Sequence, residues 1–143
     1  MTRGTEWHNK MVGVKRDELR RDSLKVYDSE KMIGFKWPAD IESQIKGVDV
    51  LAESENKVVI VEVEDALKAN GLEEGVAFVE LGGILLLSYI ASKHTDKVVE
   101  LCLILPSNVE RHRFEKIRRI VNEAKNALTS LQITIEQRWL SEY

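Results

Sequence analysis

The chain has little cysteine, little proline and no long apolar run, and each shortage removes a class of protein. A single cysteine, Cys102, stands among 143 residues. It excludes an intramolecular disulfide framework and the thiolate clusters of zinc and iron–sulfur sites. A reducing compartment suits such a chain, so a cytoplasmic location is expected. The two prolines, Pro38 and Pro106, open no change of composition, and no repeat, low-complexity tract or Gly/Ser linker divides the chain. One domain over residues 1–143 is expected at this length. The opening MTRGTEWHNK carries no apolar stretch, so no secretory signal is expected. The most apolar window, Val76 to Ala91, contains Glu80 and falls short of the ~20 residues that a bilayer span needs. No membrane partner is expected. His8, His94 and His112 share no metal-ligand spacing and are expected at the surface or as caps.

What is present is a globular balance, with 43% hydrophobic and 31% charged residues, too apolar for a disordered chain. Trp7, Met11, Val14 and Leu19 recur at helical spacing between Thr5 and about Arg21. Short β-type runs follow at Leu24–Tyr27, Met32–Trp37, Val48–Ala52 and Val58–Glu64, the last dense in β-branched residues. Residues from about Glu73 to His94 predict a helix apolar on almost every side. Within it, Gly82-Gly83 predicts a close packing contact, inside the fold or at a dimer seam, and the surplus of apolar surface predicts a homodimer. Lys97–Leu105 predicts a strand in which Cys102 is a core thiol. Ser107 and Glu110 read as a capping box ahead of a helix striped by Phe114, Ile117, Val121, Ala124, Leu128 and Leu131. A last strand is expected around Ile133, Ile135 and Trp139. The fold class is α/β, a central sheet with helices on its faces.

The chemistry is concentrated in one predicted hairpin. Val48–Ala52 and Val58–Glu64 are separated by Glu53-Ser54-Glu55-Asn56, short enough for an antiparallel turn. Glu62 and Glu64, two apart on a strand, project to the same face. Asp49 belongs to the partner strand, so three carboxylates can converge. Their repulsion would be relieved by a divalent cation, and oxygen ligands suit Mg²⁺ or Mn²⁺. The plainer alternative is that both glutamates face solvent from an exposed sheet face.

Val48-Asp49-Val50-Leu51-Ala52, followed thirteen residues after Asp49 by Glu62-Val63-Glu64, resembles the signature of the PD-(D/E)xK nucleases. The element order also resembles that family's αβββαβ core, a central mixed sheet flanked by helices, here with an extra C-terminal helix and strand. The resemblance, to restriction-type endonucleases and archaeal Holliday-junction resolvases, covers most of the chain. It implies Asp49, Glu62 and the carbonyl of Val63 as metal ligands. It also implies a first-helix carboxylate acting through water, Glu6 in Thr5-Glu6-Trp7-His8 or, as runner-up, Glu18. The activity it implies is Mg²⁺-dependent hydrolysis of DNA, branched or structured DNA included. Two positions depart from the pattern. Val48 replaces the proline, and Glu64 replaces the lysine that would orient water and stabilise developing charge. Glu64 then acts as a ligand or base, or a cation comes from elsewhere, with Lys68 and Lys93 nearest in sequence. Otherwise the chain is a catalytically silent module that binds nucleic acid or a protein.

The net charge is −3, from 21 basic and 24 acidic residues, unlike a protein that coats nucleic acid. Two local excesses offset it. Arg111, Arg113, Lys116, Arg118 and Arg119 face only Glu115, and six basic residues including Lys15 and Arg16 face three acidic ones between Lys10 and Lys25. Both are candidates for phosphate contact, with a solvated helix face as the commoner reading of each alone.

Overall fold

A computed structural model of the chain describes residues 6–27, 48–64 and 71–138, those of 71–80 by backbone alone. In chain order the elements are α1 (Glu6–Arg21), β1 (Lys25–Tyr27), β2 (Val50–Glu53), β3 (Lys57–Val63), α2 (Gly71–Ser92), β4 (Val98–Pro106), α3 (Arg111–Ala127) and β5 (Leu131–Arg138). The expected strand at 32–37, Lys68 and Trp139 lie outside the described residues.

The strands form one mixed sheet in the order β1-β2-β3-β4-β5. β1, β2 and β3 meander antiparallel, then β4 and β5 run parallel to β3. The parallel links each need a crossover, and α2 and α3 provide them. The fold is α/β.

Alternation along the strands separates two cores. Tyr27, Leu51, Ile60, Leu101 and Ile133 are successive register partners across all five strands. All five belong to the core under α2 and α3, with Ile84, Leu85, Ile117 and Val121. The neighbouring row, Val50, Val61 and Cys102, faces the other way and packs with Trp7, Met11 and Leu19 of α1. Because β3 and β4 are covered on both faces, they read as unbroken apolar runs. Cys102 is buried, as expected of a core thiol.

Two expectations need correction. Ser107 and Glu110 do not make a capping box. The Ser107 N–H donates to the Arg138 carbonyl at 3.1 Å and the Val109 N–H to the Pro106 carbonyl at 3.3 Å. That turn delays the helix to Arg111, leaving Glu110 at the N-cap position without a side-chain cap bond. The helix also stops at Ala127, and Leu131 opens β5 instead of ending the apolar stripe. Second, Gly82 and Gly83 make no close contact inside the fold, so of the two placings expected for their packing contact the one within a single chain is excluded. Both are exposed, and a Cβ built on either meets nothing within 4 Å. Beside them Leu86 is 59% exposed, so α2 is not buried all round. No helix among the described residues is long and apolar enough to cross a membrane.

Candidate functional site

The hairpin is tight. At its turn the Ser54 N–H donates to the Lys57 carbonyl at 2.8 Å, and the Ser54 hydroxyl donates to Asn56 Oδ1 at 2.9 Å. The register that follows pairs Val50 with Val61. That pair ends the ladder, and Asp49 precedes it by one residue, outside β2. The antiparallel hairpin forms as the sequence suggests.

Their side chains are engaged differently. Asp49 Oδ2 accepts the Val63 N–H at 2.7 Å, and Oδ1 lies 3.0 Å from His8 Nε2 on the first turn of α1. A carboxylate at that distance can only accept, so Nε2 carries the proton. His8 and Asp49 are both mostly shielded, with side chains 19% and 16% exposed. Glu62 and Glu64, on the α2/α3 side, line a small slot with Leu81, Ile84, Leu103, Leu105 and Ile117. Both glutamates are held by contacts of their own. The carboxylates thus belong to adjacent backbones, but Asp49 is turned towards α1 and the glutamate pair towards α2 and α3. Among the described residues no group of three or more His, Cys, Asp or Glu side chains is gathered to hold a metal.

Of the two first-helix carboxylates, only Glu6 is at the Asp49 end. It opens α1 and is exposed, two residues before His8. Glu18 is twelve residues further on, ~18 Å along a helix, and accepts Arg138 Nη1 and Nη2 at 2.6 and 2.8 Å. His8 had been expected at the surface or as a cap. Nothing in its local sequence marks it, because its partner lies 41 residues away.

Lys93 is not near Glu64. It follows the last turn of α2, its ammonium 5.1 Å from the Tyr89 ring centre. From there the chain enters β4, whose Val98 pairs with Lys57 at the start of β3. The whole of β3, roughly 20 Å at strand rise, separates that end from Glu64.

The basic candidates divide by environment. Arg111, Lys116, Arg118 and Arg119 are exposed on α3, with Arg118 3.2 Å from Glu115. Arg113 is only 13% exposed, and Arg16 is half-buried. Lys15 is committed within the fold. Its ammonium donates to Glu136 Oε2 at 2.8 Å and stands 3.7 Å from Glu18. Arg138 closes the cluster by donating to Glu136 from Nε at 2.9 Å and from Nη2. The Cys102 thiol donates to Glu136 at 3.1 Å. Burial alone would raise Glu136, but hydrogen bonds from Lys15, Cys102 and Arg138 overcome it and hold the carboxyl down at about 2. Burial also works against Lys15, and the hydrogen bond and charge of Glu136, with Cys102 and Glu18, raise it nonetheless. Burial pushes the Cys102 thiol up to about 12, with Lys15 opposing and Glu136 adding. It does the same to Tyr27, whose hydroxyl donates to Glu53, taking it to about 12.

These shifts predict the pH limits of stability. Glu136 is depressed from 4.5, so its contribution is complete above that value and disappears as pH falls from 4.5 towards about 2. About 2 kcal/mol should be lost, allowing for partial exposure. Tyr27 and Cys102 are raised from 10.0 and 9.0. Their contributions hold below those values and fall away as pH rises towards 12. Urea unfolding across pH 2 to 11 checks both limbs, and Glu136→Gln should flatten the acid one. An unchanged acid limb in that variant would remove Glu136 as its cause.

A scan of family models and searches of characterised proteins and of solved structures found no match to this chain.

Proposed function

We propose that the chain is a divalent-metal-dependent phosphodiesterase of the PD-(D/E)xK type, acting on DNA. The observation that carries this reading is the β2–β3 hairpin, at whose end the Asp49 carboxylate accepts the N–H of Val63, the residue between Glu62 and Glu64. The element order α-β-β-β-α-β-α-β supports it. So does the sheet order, an antiparallel meander continued by parallel strands.

The donor set suits Mg²⁺ or Mn²⁺ in kind, being carboxylates and a backbone carbonyl. Asp49, Glu62 and the Val63 carbonyl would hold the ion, and Glu6 would act through water. When bound, such an ion lowers the pKa of its water and offsets charge on a phosphate. The residues of the chain do the rest. His8 orients Asp49 from α1, and the Val63 N–H locks the second oxygen. As the side chains stand, Asp49 faces α1 and Glu62 faces α2 and α3, so the three ligands are not gathered without the ion. Glu64 is a further ligand or the base that takes a proton from water. The exposed cations Arg111, Lys116, Arg118 and Arg119 meet the DNA backbone.

Incubation with branched, single-stranded and duplex DNA in Mg²⁺ or Mn²⁺ tests this, with cleavage expected on at least one substrate and abolished by EDTA. A folded protein that cleaves none of them would leave a second reading, a silent nuclease-fold module that binds nucleic acid or a protein. That reading is favoured by Glu64 in place of lysine and by the engagement of Asp49 with His8.

The same reading includes a homodimer. Gly82, Gly83 and Leu86 fall within about one turn on the outer side of α2, where the two glycines let a second helix approach closely. Leu86→Glu is expected to give a monomer by light scattering at concentrations where the wild type is dimeric. A monomeric wild type at every accessible concentration would remove the dimer.

A further inference from the structure

The acidic pair lies in an environment that calls for a cation, and the helix register indicates where one comes from. Glu62 and Glu64 line a slot whose other walls are Leu81, Ile84, Leu103, Leu105 and Ile117. Two carboxylates two residues apart on one strand face, beside apolar walls, repel each other. Position 64 is a second acid where a lysine would have relieved that repulsion. On α3, Arg113, Ile117 and Val121 recur every four residues, which stacks them on one face of the helix. Ile117 and Val121 are 0% and 1% exposed, so this face looks onto the sheet. Ile117 itself is a wall of the slot.

The level along the strands also matches. The Glu64 N–H donates to the Ile104 carbonyl at 3.0 Å, so Glu64 stands beside the last residues of β4. β4 ends at Pro106 and α3 begins at Arg111, placing the first turn of α3 at that same end. Arg113 lies one turn from Ile117 towards it, ~6 Å along the helix. Its side chain is 13% exposed, whereas Glu110, 3.7 Å from its Nε, is 63% exposed. A guanidinium brings five N–H donors in a planar fork, and a shielded one needs acceptors for them. Glu62, Glu64 and Arg113 are each engaged by contacts in the fold beyond this one.

We propose that Arg113 is the resident cation of the acidic pair, a positioning residue that reaches Glu62 and Glu64 from α3. It offers a phosphate the positive charge that position 64 lacks. The pairing stands on the geometry alone, and its role towards phosphate rests on the phosphodiesterase reading.

A double-substitution cycle separates the two. Without metal or DNA, Arg113→Ala is expected to lower the thermal midpoint by about 5 °C in the wild-type background, and by less than half of that beside Glu64→Ala. Arg113→Lys should keep most of the midpoint. With Mn²⁺ and a cleavable DNA, Arg113→Ala should lower the rate by at least ~10-fold. Arg113→Lys should keep most of the wild-type rate because it retains the charge, whereas the polar but neutral Arg113→Gln should not. Additive midpoint shifts would overturn the proposal whatever the cleavage rates. Coupled shifts in a protein that never cleaves would support the pairing and sink the phosphodiesterase reading instead. Coupled shifts with unchanged cleavage by Arg113→Ala would overturn the role towards phosphate.

Discussion

Asp49→Asn is expected to lower metal-dependent DNA cleavage by roughly 100-fold or more, the scale on which a single positioned group acts at such a centre, while leaving the fold almost intact. The substitution keeps the shape of the side chain and an oxygen that can accept the Val63 N–H, now 2.7 Å away. It removes one negative charge, and a cation held by few carboxylates depends on each of them. The second oxygen becomes an amide nitrogen facing His8 Nε2, which now donates across 3.0 Å. The histidine can answer by changing its tautomer, so the structural cost is small. Initial rates across a Mg²⁺ or Mn²⁺ titration, with circular dichroism to check folding, measure the effect. A folded Asp49→Asn protein cleaving at the wild-type rate would take Asp49 out of the metal site.

The largest effect on stability is expected from Ile60→Ala, about 2–5 kcal/mol, or a fall in thermal midpoint on the order of 10 °C for a chain of this size. Ile60 is 0% exposed at the centre of the row that crosses all five strands, between Leu51 and Leu101. Its side chain belongs to the core under α2 and α3. Strands on both sides prevent the backbone from closing in, so the deleted carbons leave a cavity as well as losing their burial. Urea unfolding at neutral pH measures it. A loss below 1 kcal/mol would mean that the helices can settle onto the sheet, and that this row is not the tightly packed centre described here.

The hairpin could be read from the sequence because its signals are local. Val58-Val59-Ile60-Val61 makes a strand through β-branched stiffness, and four polar residues make the turn. Alternation then puts Glu62 and Glu64 on one face before any tertiary contact forms. The amphipathic stripe through Ile117 and Val121 is equally local, as is the burial of Cys102 within an apolar run. The start of α3 was misread because Ser107-x-x-Glu110 has the spacing of a capping box, while the Ser107 backbone is drawn instead to Arg138, distant in sequence.

What only the tertiary structure decided is where each charge goes. Spacing put Asp49 among three converging carboxylates, whereas the packing of α1 against β2 and β3 turned it to His8. Composition counted Lys15 as a free cation for phosphate, whereas β5 brought it Glu136. A backbone pattern follows from neighbours a few residues apart, whose sterics and burial act over one turn or one strand. A charged side chain is long and rotatable, and burial makes it settle on whichever opposite charge the fold brings within a few ångströms. For Asp49 and Lys15 that partner lies 41 and 121 residues away, a separation over which sequence spacing carries no distance.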